Sequence, residues 1–130
     1  MSTIISDIDG TLIMFDGGVN NEVNDFLQEH FNEYDIVLVT ARSEARRSET
    51  QAKLRTSGVN YTRLLMNKVG PSHEDGLRSK IANAKTLSDV QLVIENDADA
   101  RSAYADAGFN AVSPGSDLEA ALAETHMENN

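Results

Sequence analysis

The stretch that decides the fold reads Thr3-Ile4-Ile5-Ser6-Asp7-Ile8-Asp9-Gly10-Thr11. Its first part, Thr3 to Ile8, is almost wholly apolar and ends at acids, a pattern typical of a central strand that is buried on both faces. The carboxyl end of such a strand lies at the protein surface. Further short apolar runs follow with helical patterns between them, and this alternation predicts parallel strands joined by crossover helices.

The predicted order of elements is βαβαβαβαβα, an α/β fold of three layers, Rossmann-like, around a central parallel sheet of five strands. The later strands are expected at Asp35 to Thr40, Tyr61 to Met66, Val90 to Ile94 and Phe109 to Val112. The helices are expected from about Val19 to Glu33 with Asn20 or Asn21 as N-cap, from Ser43 to Gly58, from Asp75 to Thr86, from Ala98 to Ala107, and after a cap at Ser116.

Length and composition restrict the class of protein. The chain has 130 residues, 40% of them hydrophobic, which fits a single domain over residues 1–130. It contains no cysteine, which excludes disulfides and thiol nucleophiles and favours a cytoplasmic location. No apolar run reaches the roughly 18 residues that a membrane span needs, so no membrane partner is expected.

The charge is unevenly distributed along the chain. The net charge is -10, which argues against a basic protein that coats nucleic acid. All the Lys and Arg residues nevertheless lie between Arg42 and Arg101, where eleven basic residues meet eight acidic ones. This basic middle either faces an anionic ligand or forms the solvated face of a helix.

Polar side chains follow three of the predicted strands, at the edge where ligands collect in parallel sheets. Asp7 and Asp9 follow the first strand, and Thr40 ends the second. The fourth is followed by the acids and amide of Glu95, Asn96 and Asp97. Carboxylates that converge in this way repel one another, and Mg²⁺, which prefers oxygen ligands, would offset the repulsion. The sequence therefore predicts a site for Mg²⁺ and an anionic substrate at this edge.

The same residues resemble the motifs of the haloacid dehalogenase-like (HAD) phosphatase superfamily. Asp7-Ile8-Asp9-Gly10-Thr11 is similar to its DxDGT motif, and an apolar strand precedes it as in the family. The other three motifs follow in order: a strand that ends at Thr40, then Lys80, then Ile94-Glu95-Asn96-Asp97. The resemblance covers about residues 3 to 113.

The resemblance implies a phosphomonoester hydrolase. Asp7 would be the nucleophile that forms an aspartyl-phosphate, and Asp9 the general acid and base. Thr40 and Lys80 would hold the oxygens of the transferred phosphoryl group. Mg²⁺ would be held by Asp7, the backbone carbonyl of Asp9 and one side chain of the fourth motif.

The fourth motif departs from the family pattern, which commonly has two adjacent acids. Counting back from Gly108 places Asn96 at the usual metal-ligand position and Glu95 beside it. Asp97 is the alternative if the loop is shifted by one residue. All three remain candidates at this stage.

Among family members without a cap domain, the chain is most similar to the phosphatase domain of polynucleotide kinase 3'-phosphatase. Thr40-Ala41-Arg42 resembles the S/T-G-R of that group, and Tyr104 takes the place of its Trp. Arg42 would then bind phosphate or hold the active-site loop. The implied substrate is a nucleotide or a nucleic-acid 3'-phosphate end. A site without a cap suits a large substrate that covers it, or a homo-oligomer in which a neighbouring subunit does so.

Three other functions fit parts of the pattern. A response-regulator receiver needs an Asp after its third strand, and no Asp occurs from Ile36 to Glu74. A HAD-like module that binds phosphate with little turnover is suggested by Asn96 alone. A phosphatase of small metabolites is the third alternative, because the motifs do not fix the leaving group.

Overall fold

A computed structural model describes the backbone of residues 1–128 and the side chains of residues 1–125. Its sheet has five strands, all parallel, in the order β3-β2-β1-β4-β5. In chain order the elements are β1 (Ser2–Ser6), α1 (Asn21–Glu29), β2 (Tyr34–Ser43), a 3₁₀ turn (Glu44–Arg46), α2 (Arg47–Thr56), β3 (Arg63–Asn67), α3 (His73–Lys85), β4 (Val90–Ile94), α4 (Ala98–Asp106), β5 (Ala111–Val112) and α5 (Leu118–Glu128). The predicted three-layer fold is confirmed, and the described residues contain no cap domain.

The two faces of the sheet carry separate apolar clusters. Ile4 of β1 packs with side chains of α1, α2 and α5 on one face. Its neighbour Ile5 packs with side chains of α3 and α4 on the other face. Because successive side chains of a strand point to opposite faces, a run of apolar residues is what a strand covered on both sides requires. None of the helices in residues 1–128 has the length and hydropathy to cross a bilayer.

Capping residues set where three of the helices begin. Asn20 is the N-cap of α1, since its side chain accepts a hydrogen bond from the amide of Val23. Ser72 caps α3 through the amide of Asp75, so this helix begins two residues earlier than predicted. The predicted cap at Ser116 is wrong. Asp117 caps α5, accepting from Ala120 N at 3.1 Å.

An irregularity in β2 shapes the edge of the sheet where β1 ends. Val39 pairs with Leu65 of β3, but the next paired residue, Ser43, lies opposite Asn67. β2 therefore has two more residues than β3 in this interval, and residues 40–42 leave the regular ladder. A bulge of this kind redirects side chains, and here it affects Thr40 and Arg42 beside the end of β1.

Truncation of a central core residue tests this packing. Ile4 is fully buried in β1, so Ile4→Ala should leave a cavity and lower the free energy of unfolding by about 2–5 kcal/mol. Val69→Ala is the control, since Val69 is 53% exposed and its truncation should cost less than about 0.5 kcal/mol. Urea unfolding measures both, and equal losses would contradict the assigned core.

Candidate active site

A buried cluster of three charged side chains lies at the carboxyl end of β1. Lys80 reaches it from α3, and its Nζ atom lies 2.6 Å from Oε1 of Glu95 and 3.6 Å from Oδ1 of Asp7. Asp7 follows β1 and Glu95 follows the neighbouring strand β4, so the two carboxylates meet at one edge of the sheet. The side chains of all three residues are at most 8% exposed. One lysine therefore forms ion pairs with two buried carboxylates.

The charges in this cluster change the pKa values of its members. Burial raises the pKa of the Asp7 carboxyl well above its usual range, Lys80 offsets part of this rise, and Glu95 adds to it. Burial acts to lower the pKa of Lys80, but Asp7 and Glu95 outweigh it and the pKa is raised. Lys80 is therefore charged at neutral pH. Ionisation of Asp7 therefore costs more free energy than ionisation of a solvated aspartate, and a further positive charge nearby would reduce this cost.

Asp9 lies nearer the surface and pairs with Arg42. The guanidinium binds both carboxylate oxygens, with Nε–Oδ2 at 2.8 Å and Nη2–Oδ1 at 2.7 Å. Arg42 also donates to the hydroxyl of Thr50 in α2 at 3.2 Å, and Asp9 raises the pKa of the guanidinium. This two-point contact fixes the plane of the Asp9 carboxylate. The Asp9 side chain remains 42% exposed, so it can contact a ligand.

Thr40 lies at the start of the irregular part of β2 and is buried. Its hydroxyl oxygen accepts a hydrogen bond from the amide of Arg42 at 3.1 Å. The hydroxyl hydrogen stays available to donate to another group. The structure thus joins Thr40 to Arg42, whereas Lys80 contacts Asp7 and Glu95.

Thr11 connects Asp7 with the segment after β4, a role that the sequence analysis did not assign. Its Oγ1 atom lies 3.4 Å from Oδ2 of Asp7 and 3.4 Å from Oδ1 of Asn96, and it accepts from the Asn96 amide at 3.2 Å. The side-chain oxygens of Asp7 and Asn96 therefore converge on one hydroxyl. Thr11 belongs to the DxDGT motif, so the signal for it was present in the sequence.

The three candidates after β4 occupy different settings. Glu95 is fully buried, and its second oxygen accepts the amide of Asp97 at 3.0 Å. Asp97 is the N-cap of α4 and accepts from Ala100 N at 3.1 Å. Arg101 of α4 donates to the backbone carbonyls of Glu95 and Asn96. Glu95 thus contacts Lys80 and Asp97 caps α4, whereas the side-chain oxygen of Asn96 lies against the hydroxyl of Thr11 that also contacts Asp7.

The oxygens around Asp7 fit a small hard cation. The carboxylate of Asp7 and the amide oxygen of Asn96 are ligands that Mg²⁺ prefers. The amides of Thr11, Leu12 and Ile13 all donate to the carbonyl of Ile8, so this turn does not use the carbonyl of Asp9. A cation near Asp7 would also relieve the unfavourable ionisation of its buried carboxylate.

Gly10 allows close packing over this site. It has φ of +78°, and a Cβ there would lie 2.4 Å from Nδ2 of Asn96 and 2.9 Å from Cζ of Phe15. Only glycine fits such a position. The ring of Phe15 is 84% exposed beside the same loop, a feature that the sequence analysis did not single out.

Comparison with known proteins gives a likeness of fold. No protein-family model and no curated protein matches the chain. A chain in the structure of the Pnkp1/Rnl/Hen1 RNA repair complex has a TM-score of 0.75 and 19% sequence identity over 86% of this chain. A second structure of the Pnkp1/Rnl/Hen1 complex gives a TM-score of 0.71, with 18% identity over 86%. This chain spans 42% and 44% of the two matched chains.

A third similar structure is closer to this chain in length. It is an uncharacterized protein from Corynebacterium glutamicum ATCC 13032 Kitasato, with a TM-score of 0.58 and 19% identity over 95% of this chain and 91% of the other. At such identities the likeness shows a shared three-layer α/β fold, and the site's chemistry has to be argued from its own residues.

Substitution of Asp97 separates a capping role from a metal-binding one. Asp97→Ala should lower the free energy of unfolding by about 1 kcal/mol, while Asp97→Ser, which keeps a capping oxygen, should change it little. Urea unfolding measures the loss, and calorimetric titration with Mg²⁺ accompanies it. Weaker Mg²⁺ binding by the stable Asp97→Ser protein would identify Asp97 as a ligand instead.

The raised pKa of Asp7 predicts that its charge destabilises the metal-free fold. Below the ordinary aspartate pKa of 3.8 the carboxyl is protonated in both states, and stability is lost as the pH rises through the raised pKa of the folded state. In EDTA, Asp7→Asn should therefore raise the free energy of unfolding at about pH 8, with a smaller effect near pH 4.

Urea unfolding over this pH range measures the effect, and Asp25→Asn is the matched control. Asp25 is exposed on α1, so its substitution should leave stability nearly unchanged at every pH. A loss of stability in Asp7→Asn at about pH 8 would contradict the assignment.

Proposed function

We propose that this chain is a Mg²⁺-dependent phosphomonoesterase of the HAD type that acts through an aspartyl-phosphate. The substrate we propose is a nucleotide or a nucleic-acid 3'-phosphate end. The observation that carries the proposal is the buried Asp7 carboxylate held against Lys80, with Asp9 exposed two residues further on. A nucleophile and a separate proton-transferring acid are the two groups that this double displacement requires.

In the first step the ionised carboxylate of Asp7 attacks phosphorus. A bond forms between a carboxylate oxygen and phosphorus, and the bond from phosphorus to the leaving oxygen breaks. Lys80 offsets the charge that the phosphate brings next to Asp7. Because Glu95 holds the ammonium at 2.6 Å, its position is fixed before the substrate binds. The hydroxyl of Thr40 donates to a phosphoryl oxygen.

Asp9 transfers the protons of both steps. In its acid form it protonates the leaving oxygen, and in its carboxylate form it accepts a proton from the water that hydrolyses the aspartyl-phosphate. Arg42 fixes the orientation of the Asp9 carboxylate through two hydrogen bonds. Arg42 therefore acts as a positioning residue for the proton transfers of Asp9.

Mg²⁺, when bound, would neutralise phosphoryl charge and polarise phosphorus. Asp7, Asn96 and the carbonyl of Asp9 are the groups that we propose to hold it. Compared with two acids, the amide of Asn96 gives a less negative site. We therefore expect a modest affinity for the cation in the absence of substrate.

Two observations support a nucleotide or nucleic-acid end as the substrate. No cap domain covers the site in the described residues, so a large leaving group can approach. A chain of similar fold occurs in an RNA repair complex. Neither fixes the leaving group, and small phosphorylated metabolites remain the comparison substrates of the experiment.

The experiment is phosphate release with Mg²⁺ from p-nitrophenyl phosphate, a panel of nucleoside monophosphates and a 3'-phosphorylated oligonucleotide. Asp7→Asn should lower kcat by at least about 10³-fold on every substrate that the wild type cleaves, because it removes the nucleophile. Asp25→Asn makes the same chemical change on the surface of α1 and should have no effect.

The substrate profile decides between the candidate roles. Preference for the oligonucleotide or a nucleotide supports the proposal, and preference for small metabolites overturns its substrate. Mg²⁺-dependent binding of a phosphorylated ligand without release of phosphate would favour a binding module. Asn96, which stands where the motif commonly has an acid, favours the same alternative.

A further inference from the structure

A groove of about 510 Å³ opens beside the candidate active site, between the end of β2 and the loop that follows β3. Arg42, which pairs with Asp9, forms one part of its wall. A smaller depression of about 160 Å³ contains Lys80 and shares Ala41 and Pro71 with the groove. The groove therefore adjoins the site at two points, near Asp9 and near Lys80.

Among the described residues, one basic side chain in the wall of the groove has no ion pair. Arg42 and Arg46 in its wall pair with Asp9 and Glu49, and Glu44 in its wall pairs with Arg47. Lys68 is exposed in the same wall, and among the described residues it has no ion pair or hydrogen bond. The pKa of Glu44 in the same wall is lowered most by the hydrogen bond from Arg47, and the charge of Lys68 makes a smaller contribution in the same direction.

The loop that bears Lys68 is held in place before any ligand binds. The side chain of Asn67 is buried, and its Oδ1 atom accepts the amides of Val69 and Gly70 at 2.8 and 3.3 Å. Its Nδ2 atom donates to the carbonyls of Gly70 and Ala41 at 2.7 and 3.2 Å. This one carboxamide ties the loop to the irregular part of β2. A preformed wall reduces the ordering that binding would otherwise require.

The surface beside Lys68 is apolar as well as charged. Val69, the next residue, is 53% exposed in the same wall. A strand of nucleic acid presents a charged phosphate next to a sugar and a base with apolar faces, whereas a free anion presents charge alone. The wall of the groove therefore matches a nucleotide residue better than an inorganic anion.

We propose that this groove binds the phosphodiester backbone of the nucleic-acid strand next to the terminal phosphate that Asp7 attacks, with Lys68 as the phosphate contact. The inference rests on the proposed function and narrows it, since it favours polymer ends over mononucleotides. The contact of Lys68 is with a phosphate and not with a base edge, so it is insensitive to base sequence.

The test compares wild type, Lys68→Ala and Lys85→Ala on a 3'-phosphorylated oligonucleotide and a nucleoside 3'-monophosphate, which lacks a phosphodiester. Lys85 is an exposed lysine at the end of α3 and outside the groove. Lys85→Ala therefore removes the same charge as Lys68→Ala without changing the groove. The ratio of kcat/KM for the oligonucleotide to that for the mononucleotide should fall about 5-fold in Lys68→Ala and stay constant in Lys85→Ala. A ratio that is unchanged in both variants, or that falls equally in both, would contradict the proposal that the groove binds the strand.

Binding keeps this result separate from a failure of the proposed hydrolysis. Fluorescence anisotropy with a labelled 3'-phosphorylated oligonucleotide is measured on the same three proteins, over a series of salt concentrations. Lys68→Ala should reduce the slope of log Kd against log salt concentration by about 1, the value for the loss of one phosphate contact. Lys85→Ala should leave this slope unchanged. A wild type that binds in this way but releases no phosphate would contradict the hydrolysis alone. An unchanged salt dependence in Lys68→Ala would contradict the groove whether or not phosphate is released.

Discussion

The ion pairs of Lys80 with Asp7 and Glu95 are the constraint on which the rest of the site depends. Two carboxylates at the ends of adjacent strands are withdrawn from water, and a single ammonium on the helix that crosses behind them balances part of their charge. A buried charge that loses its partner costs about 3–5 kcal/mol, so α3 has to keep its position relative to the sheet. The cap at Ser72 and the loop held by Asn67 both act at the start of this helix.

The fold could be predicted from the sequence because the strands that define it are buried on both faces. β4 was predicted with its observed bounds, since its apolar run has polar residues on both sides. Helix starts were less predictable where several polar residues compete as caps. Ser116 and Asp117 are adjacent and both are common N-cap residues, so the sequence does not distinguish them, whereas in the structure Asp117 accepts the capping hydrogen bond.

The sequence predicts several groups of the candidate site, but it does not predict their contacts. Three successive polar residues after β4 were candidates, with Asn96 at the usual ligand position, and the structure gives them three settings: Lys80 for Glu95, Thr11 for Asn96 and the start of α4 for Asp97. The direction of a side chain just after a strand depends on the conformation of the turn. A turn has no periodic pattern of apolar residues from which that direction could be predicted. The irregular part of β2, which contains Arg42, is defined by the pairing of β2 with β3. The local sequence of β2 does not specify that pairing, so the contact of Arg42 with Asp9 could not be predicted from it.

The order of the strands bears on how the chain folds during synthesis. β1 is made first but lies at the centre of the sheet, with β2 on one side and β4 on the other. The hydrogen bond from Ser2 to Asp89, beside the first pairs of these two strands, spans 87 residues. A nascent chain therefore carries an apolar β1 with an unpaired edge until most of the domain has left the ribosome. Contacts of such long range slow folding and lengthen the period in which that edge is open to other chains.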